Sequence, residues 1–279
     1  VIRLAIRVAR ADAEIALAEL LELAPAGFEE VDRGDTIEYA VYGAEGELPT
    51  LPDLRAAAGA AFVEVTTTQV EDDWASRWRA FHQPVTIGGR LHVRPPWTDP
   101  PADAARLGLE DIVIDPNQAF GTGAHATTRL CLEALLDLER PSPPTALMDL
   151  GCGSGVLAIA AAKLGWGPVA GIDHEHEAVV AARENATVNG VRIDVRHGDL
   201  LHGETAAPTA PTVVANLLRP LLEHVAQVGF AGESPRVMIA GGLLRAEADA
   251  IAAAFAQRHG LREVARRERG EWAALTLAR

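Results

Sequence analysis

The chain has 279 residues, 48% of them apolar, with 25 basic against 39 acidic residues and a net charge of −14. That is length for about two domains and enough apolar content for packed cores, which excludes a disordered chain. The acidity argues against nucleic-acid binding through the overall field and favours basic partners, although it would serve solubility alone equally well.

The opening stretch, VIRLAIRVARADAE, alternates apolar residues with Arg and has no apolar h-region, so it is not read as a signal peptide. No run of 18 uninterrupted apolar residues occurs. Cys131 and Cys152 lack C-x-x-C spacing, which argues against a disulfide scaffold or a thiolate metal cluster. A cytoplasmic protein off the membrane is expected.

Ile2–Val8 alternates as a strand, Ala11–Leu23 has helical spacing, and Phe28–Val31 and Thr36–Tyr42 read as strands joined at Gly34 and Asp35. Leu51–Ala58 follows as a short helix and Ala61–Thr68 as a β-branched strand. The order β-α-β-β-α-β over residues 1–69 predicts a ferredoxin-like domain. It carries five Arg against thirteen Asp and Glu and no glycine-rich turn, which suits partner binding better than chemistry.

Residues 70–85 are expected as a linker helix, with Trp74, Trp78 and Phe81 on one face packing it onto a domain. The second domain is then 86–279. It begins with a hairpin, Val85–Ile87 and Leu91–Val93 through Gly88 and Gly89, then a proline-rich loop and a short strand at Ile112–Ile114. In Asp115–Thr128, DPNQAFGTGAHATT, two glycines allow close backbone approach and Thr127 and Thr128 supply hydroxyls as a helix begins near Ala124. On residue types alone this is a ligand-lining loop or an ordinary helix start. His125 has no second histidine or cysteine at ligand spacing, so no metal site is expected.

The most informative stretch is Ala146–Asp173, ALMDLGCGSGVLAIAAAKLGWGPVAGID. A buried strand stops at Gly151, Gly153 and Gly155, a helix runs from Val156 to Leu164, and a second strand ends on Asp173. Such a turn brings backbone N–H groups and a helix N-terminus towards a ligand, and the acid can accept hydrogen bonds from ribose hydroxyls. The dinucleotide fingerprint G-x-G-x-x-G fails at Val156. The pattern D-x-G-x-G-x-G, with Asp149 before the turn and Asp173 after the next strand, instead suits S-adenosylmethionine.

After Asp173 helices and strands alternate: Glu175–Asn189, Arg192–His197, Thr212–Ala215 ending on Asn216, Leu217–Val228, Arg236–Ala240 and Leu244–Arg258. Leu261–Arg269 and Trp272–Leu277 close as an antiparallel hairpin at Gly270 and Glu271. This predicts an α/β, Rossmann-like, mostly parallel sheet, with Gly151, Asp173, Asp199 and Asn216 at carboxyl ends of strands. His174 and His176, beside Asp173, are read as surface residues.

The tandem of DPNQAFGTGAHATT, MDLGCGSGVLAIAAAKLG, GID and VVANLL resembles the bacterial methyltransferases of large-ribosomal-subunit protein eleven. The linker W-x3-W-x2-F-x-x-P, IGGRLHVRPPW and GEWAALTL look like that family too, so the likeness covers nearly the whole chain. The resemblance implies a class I S-adenosylmethionine-dependent methyltransferase fold and a first domain that grips ribosomal protein eleven. It also implies donor contacts at Thr128, Gly151, Asp173 and Asn216, to which the glycine turn itself adds Gly153. Asn117, His174, Leu217 and the pair Gly241 and Gly242 depart from the family pattern, and none removes one of these contacts.

Methyl transfer from a sulfonium requires a neutral amine and alignment rather than an enzyme nucleophile. Asn216 is the expected catalytic residue, accepting an amine N–H while Leu217 and Leu218 keep water out; without the resemblance it is equally a turn residue after a strand. The expected activity is methylation of lysine side chains of ribosomal protein eleven, with its N-terminal α-amine as a second candidate, by a monomer that binds no nucleic acid. The competing readings are a lysine methyltransferase of another protein, a nucleotide-binding oxidoreductase disfavoured by Val156, and a non-catalytic ribosome partner.

Overall fold

The structure, a computed structural model, describes residues 2–24, 28–43, 48–69, 82–116, 125–138, 142–201 and 206–279. Two compact units divide the chain, Val1–His82 and Gln83–Arg279. The expected linker helix with Trp74, Trp78 and Phe81 lies outside the described residues, as do Asn117, Gly121 and Gly123. Val85, expected as the last linker residue, belongs to a strand.

In the first unit, β1 (Ile2–Ala9), α1 (Ala13–Leu23), β2 (Glu29–Asp32), β3 (Thr36–Gly43), α2 (Leu51–Ala58) and β4 (Phe62–Gln69) form a four-stranded antiparallel sheet in the order β2-β3-β1-β4. This is the ferredoxin-like arrangement, and its cause is readable in β1. Leu4, Ile6 and Val8 turn into the core beneath Leu17, Leu20 and Leu54, while Arg3 and Arg7 take the other face. There both arginines, joined by Arg33, close on Glu38, which is only 3% exposed. Thr50 caps α2 by accepting the Asp53 N–H, and Gly59 ends it at positive φ.

The second unit opens with a small separate sheet. β5 (Val85–Ile87) pairs antiparallel with β6 (Leu91–Arg94) across the three-residue loop 88–90, in which Gly88 and Gly89 both have positive φ, a conformation glycine adopts without a Cβ clash. β7 (Glu110–Val113) adds to β6 in parallel after a single helical turn, α3 (Ala104–Leu107). The sequence pattern showed the strands but neither α3 nor their isolation from the main sheet.

The main sheet has seven strands in the order β10-β9-β8-β11-β12-β14-β13. They are β8 (Leu147–Leu150), β9 (Val169–Asp173), β10 (Ile193–His197), β11 (Thr212–Asn216), β12 (Val237–Leu244), β13 (Arg262–Arg269) and β14 (Trp272–Ala278). β8 to β12 run parallel, and β14 lies antiparallel between β12 and β13. Around them lie α4 (Ala126–Asp137), α5 (Val156–Lys163), α6 (His176–Val188), α7 (Arg219–Val228) and α8 (Arg245–His259). The core joins Leu150, Val213, Ala215, Met238 and Leu275 of the strands to Leu222 and Val225 of α7 and Ile251 and Phe255 of α8. Strand order reverses between β8 and β11, and ligands of such sheets bind at that switch, outside the carboxyl ends.

β12 runs four residues beyond its expected end at Ala240. Gly241 and Gly242 do not stop it but form a bulge, opposite which the register against β14 shifts. Gly242 has φ +79°, and a Cβ there would stand 2.5 Å from the Leu217 carbonyl oxygen. The bulge thus makes room for the chain leaving Asn216.

Candidate active site

The glycine turn follows β8. Gly151 N–H and Cys152 N–H both donate to the Ile172 carbonyl at 2.9 Å, which ties the turn to the end of β9. Gly151, Gly153 and Gly155 all have positive φ. Gly155 packs on α6, where a Cβ would come within 3.0 Å of Ala182 Cβ. Across the turn, the Asp149 carboxylate accepts the Ala158 N–H at 3.1 Å and so serves the N-terminus of α5. Asp149 is fully buried, and burial raises its carboxyl to about 7, against the Ala158 bond and with the help of the Asp173 charge.

Asp173, at the end of β9, is held on both oxygens. Gly153 N–H donates to Oδ2 at 2.8 Å and Glu175 N–H to Oδ1 at 3.1 Å. Two of the expected donor-binding residues, Gly153 and Asp173, are therefore in direct contact. His174 and His176 are exposed, as surface residues are.

Asn216 ends β11 and reaches α4. Its Nδ2 donates to Thr127 Oγ1 at 3.4 Å, whereas its Oδ1 is buried without a hydrogen-bond partner. Thr128, beside Thr127 in the first turn of α4, is 1% exposed, and its hydroxyl also has no partner. Asp149 Oδ1, on β8, is likewise buried without a hydrogen-bond partner. Orphaned buried polar atoms are uncommon in folded proteins, and here they mark where a polar ligand fits. Leu217 follows Asn216, 8% exposed, with its N–H on the Gly241 carbonyl.

Reading the sequence missed several participants. His125 caps α4, its Nδ1 accepting the Thr127 N–H, and its ring meets Trp272 edge-on at 5.2 Å between centroids. Burial lowers the His125 pKa to about 4, so the ring is neutral at pH 7. Asn185 of α6 is a strut: it accepts the Asp115 N–H and donates to the Ser154 carbonyl, each at 3.0 Å. One turn on, Asn189 grips both polar groups of the Val113 backbone. The start of the Asp115–Thr128 segment is thereby pinned to the glycine turn. Two Asn at helical spacing, i and i+4, were the available signal.

The family model of ribosomal protein L11 methyltransferases, PrmA, matches residues 46–279. A protein named ribosomal protein L11 methyltransferase from Pelotomaculum thermopropionicum is 39% identical over 220 residues, covering 78% of this chain and 69% of that one. Its namesake from Pectobacterium carotovorum is 36% identical over 251 residues, covering 87% of this chain and 81% of its own. Among solved structures, the ribosomal protein L11 methylase of Lactobacillus delbrueckii superposes with a TM-score of 0.61 at 28% identity, covering 71% of this chain and 99% of that one. The chain belongs to the ribosomal protein L11 methyltransferase family, and its chemistry is methyl transfer from S-adenosylmethionine.

Proposed function

We propose that the chain methylates lysine side-chain amines, and the N-terminal α-amine, of ribosomal protein L11, with Asn216 accepting a hydrogen bond from the amine. Thr128, Gly151, Gly153 and Asp173 are the residues that would hold the donor, at the strand ends flanking the switch between β8 and β11. Bound S-adenosylmethionine supplies a methyl group activated on a sulfonium, so that the amine lone pair forms the N–C bond as the C–S pair passes to sulfur.

The chain's own part is to present a neutral, aligned amine. A lysine amine has a reference pKa of about 10.4, and holding it neutral near pH 7.5 costs roughly 4 kcal/mol, whereas an α-amine near 8 costs almost nothing. Burial beside Leu217, His125 and Trp272 removes water and disfavours the ammonium form. Asn216 Oδ1 then accepts one amine N–H, which turns the lone pair away from that oxygen. No enzyme nucleophile is needed, and the proton lost by the product ammonium passes to solvent.

The observation that carries this reading is the orphaned Oδ1 of Asn216, buried at the carboxyl edge of a methyltransferase sheet. The acidic segment 1–69 supports a basic partner, and it is the proposed recognition domain, linked through 70–85 to the transferase 86–279. A cytoplasmic monomer without nucleic-acid affinity completes the proposal. Asn216→Ala should abolish turnover while donor binding persists; unchanged turnover would remove Asn216 from the mechanism. The second reading, a lysine on another protein, is tested by exchanging residues 1–69 with those of a related methyltransferase, which should move the specificity.

A further inference from the structure

The Asn216 carboxamide can sit either way round, and its surroundings are not symmetric. Nδ2 faces Thr127 Oγ1, and Oδ1 lies buried without a partner, 3.2 Å from where a Cβ on Gly241 would stand. Thr127 Oγ1 lies 2.8 Å from His125 Nδ1, the same ring nitrogen that accepts the Thr127 N–H at 3.3 Å. A backbone N–H can only donate, so Nδ1 carries no proton and the hydroxyl must donate to it. The hydroxyl then has only lone pairs left for Asn216, and a lone pair can meet only the NH2 end of the carboxamide.

We propose that Thr127 and His125 are positioning residues that fix the orientation of the Asn216 carboxamide, so that its oxygen rather than its NH2 faces the methyl-accepting amine. This rests on the reading of Asn216 as the amine's acceptor. With the carboxamide reversed, two acceptor oxygens would face each other at Thr127, and the NH2 would donate to the amine lone pair, which would then no longer point at the methyl group. Trp272, edge-on to the imidazole, holds the ring that starts the relay. The polarity runs one way because His125 is buried and neutral.

The test compares Thr127→Val, Thr127→Ser, His125→Asn and Asn216→Ala, using ribosomal protein L11 and S-adenosylmethionine. It reads kcat, the KM for L11, the donor Kd and the melting temperature. Thr127→Val keeps the shape and loses the hydroxyl, so kcat should fall about tenfold or more, the equivalent of one net hydrogen bond, with the donor Kd within about twofold. Thr127→Ser should recover most of that loss. His125→Asn retains an acceptor to cap α4 but not the ring, and should lower kcat to the same degree, with Thr127→Val adding little on top.

Wild-type kcat in Thr127→Val beside an inactive Asn216→Ala would overturn the relay alone. A loss in Thr127→Ser as deep as in Thr127→Val would do the same, since shape rather than the hydroxyl would then matter. Full activity in Asn216→Ala would overturn the acceptor reading and the relay with it. Should Thr127→Val not fold, His125→Asn and Thr127→Ser carry the comparison.

Discussion

Gly151 lies directly against Leu217: a Cβ on the glycine would drive into the Leu217 side chain. The turn after β8 and the chain leaving β11 therefore meet at the switch between those strands. The glycine is required by the protein's own packing, and by its φ of +69°, before any ligand is considered. Gly151→Ala should lower stability by about 1–3 kcal/mol through strain at such a position, and by pushing Leu217 outward it should weaken donor binding. Calorimetric titration with the donor checks this, and an unchanged Kd would contradict it.

Asn185 spans the Asp115 N–H and the Ser154 carbonyl. Asn185→Ala removes one hydrogen bond from each, and a typical hydrogen bond contributes about 0.5–1.5 kcal/mol net. The expected result is a melting temperature several degrees lower together with weaker donor binding. Asn185→Ala melting with the wild type and binding donor equally well would show that the strut is idle.

Glu38 makes a prediction about acid stability. Burial alone would raise its carboxyl, but the hydrogen bonds from Arg3, Arg33 and Arg7 outweigh burial and hold it at about 2. A depressed folded pKa means that the stabilisation is complete above the ordinary carboxylate range and is lost as pH falls towards 2. Glu38→Gln should destabilise the first unit by about 3 kcal/mol near neutrality, as breaking one side of a buried ion cluster does. It should also flatten the acid limb of denaturant unfolding curves between about pH 4.5 and 2. Parallel curves for the two proteins would contradict this.

Asp149 predicts the opposite slope in a different window. Its carboxyl is raised by burial to about 7, so the folded protein holds a proton that the unfolded chain has released. Stability should fall as pH climbs from about 4 to 7, by on the order of 4 kcal/mol at most, and level off above. Asp149→Asn should remove that fall. A wild type and variant that lose stability in step across this range would show that another group is responsible.

Most of this fold is legible in local pattern. The alternation of Leu4, Ile6 and Val8 with Arg3 and Arg7 marks β1 and both faces of its sheet, and Thr50 marks the start of α2. Asp173 and Asn216 are legible because strands of a parallel sheet end on polar residues where ligands bind. What escaped depends on contacts between distant segments. The isolation of β5, β6 and β7 rests on pairing partners that no local period encodes. The strand reads as ending at Ala240, before Gly241 and Gly242, because bulge and terminus accept the same residue; only the chain at Leu217 distinguishes them. His125 was weighed as a metal ligand, and its contact with Trp272 could not be read before the fold brought β14 beside α4. Asn185 and Asn189, polar residues on a helix, resemble a solvated face until the Val113 and Asp115 backbone is placed against them.

The measurement that bears most directly on the account is intact-mass spectrometry of unmethylated ribosomal protein L11 after incubation with the enzyme and S-adenosylmethionine. The account predicts mass additions in steps of one methyl group, located by fragmentation on lysine side chains and the N-terminal amine, and lost with Asn216→Ala. An unmodified L11 mass, with donor binding demonstrated separately by calorimetry, would contradict it and assign this methyltransferase site to another protein's amines.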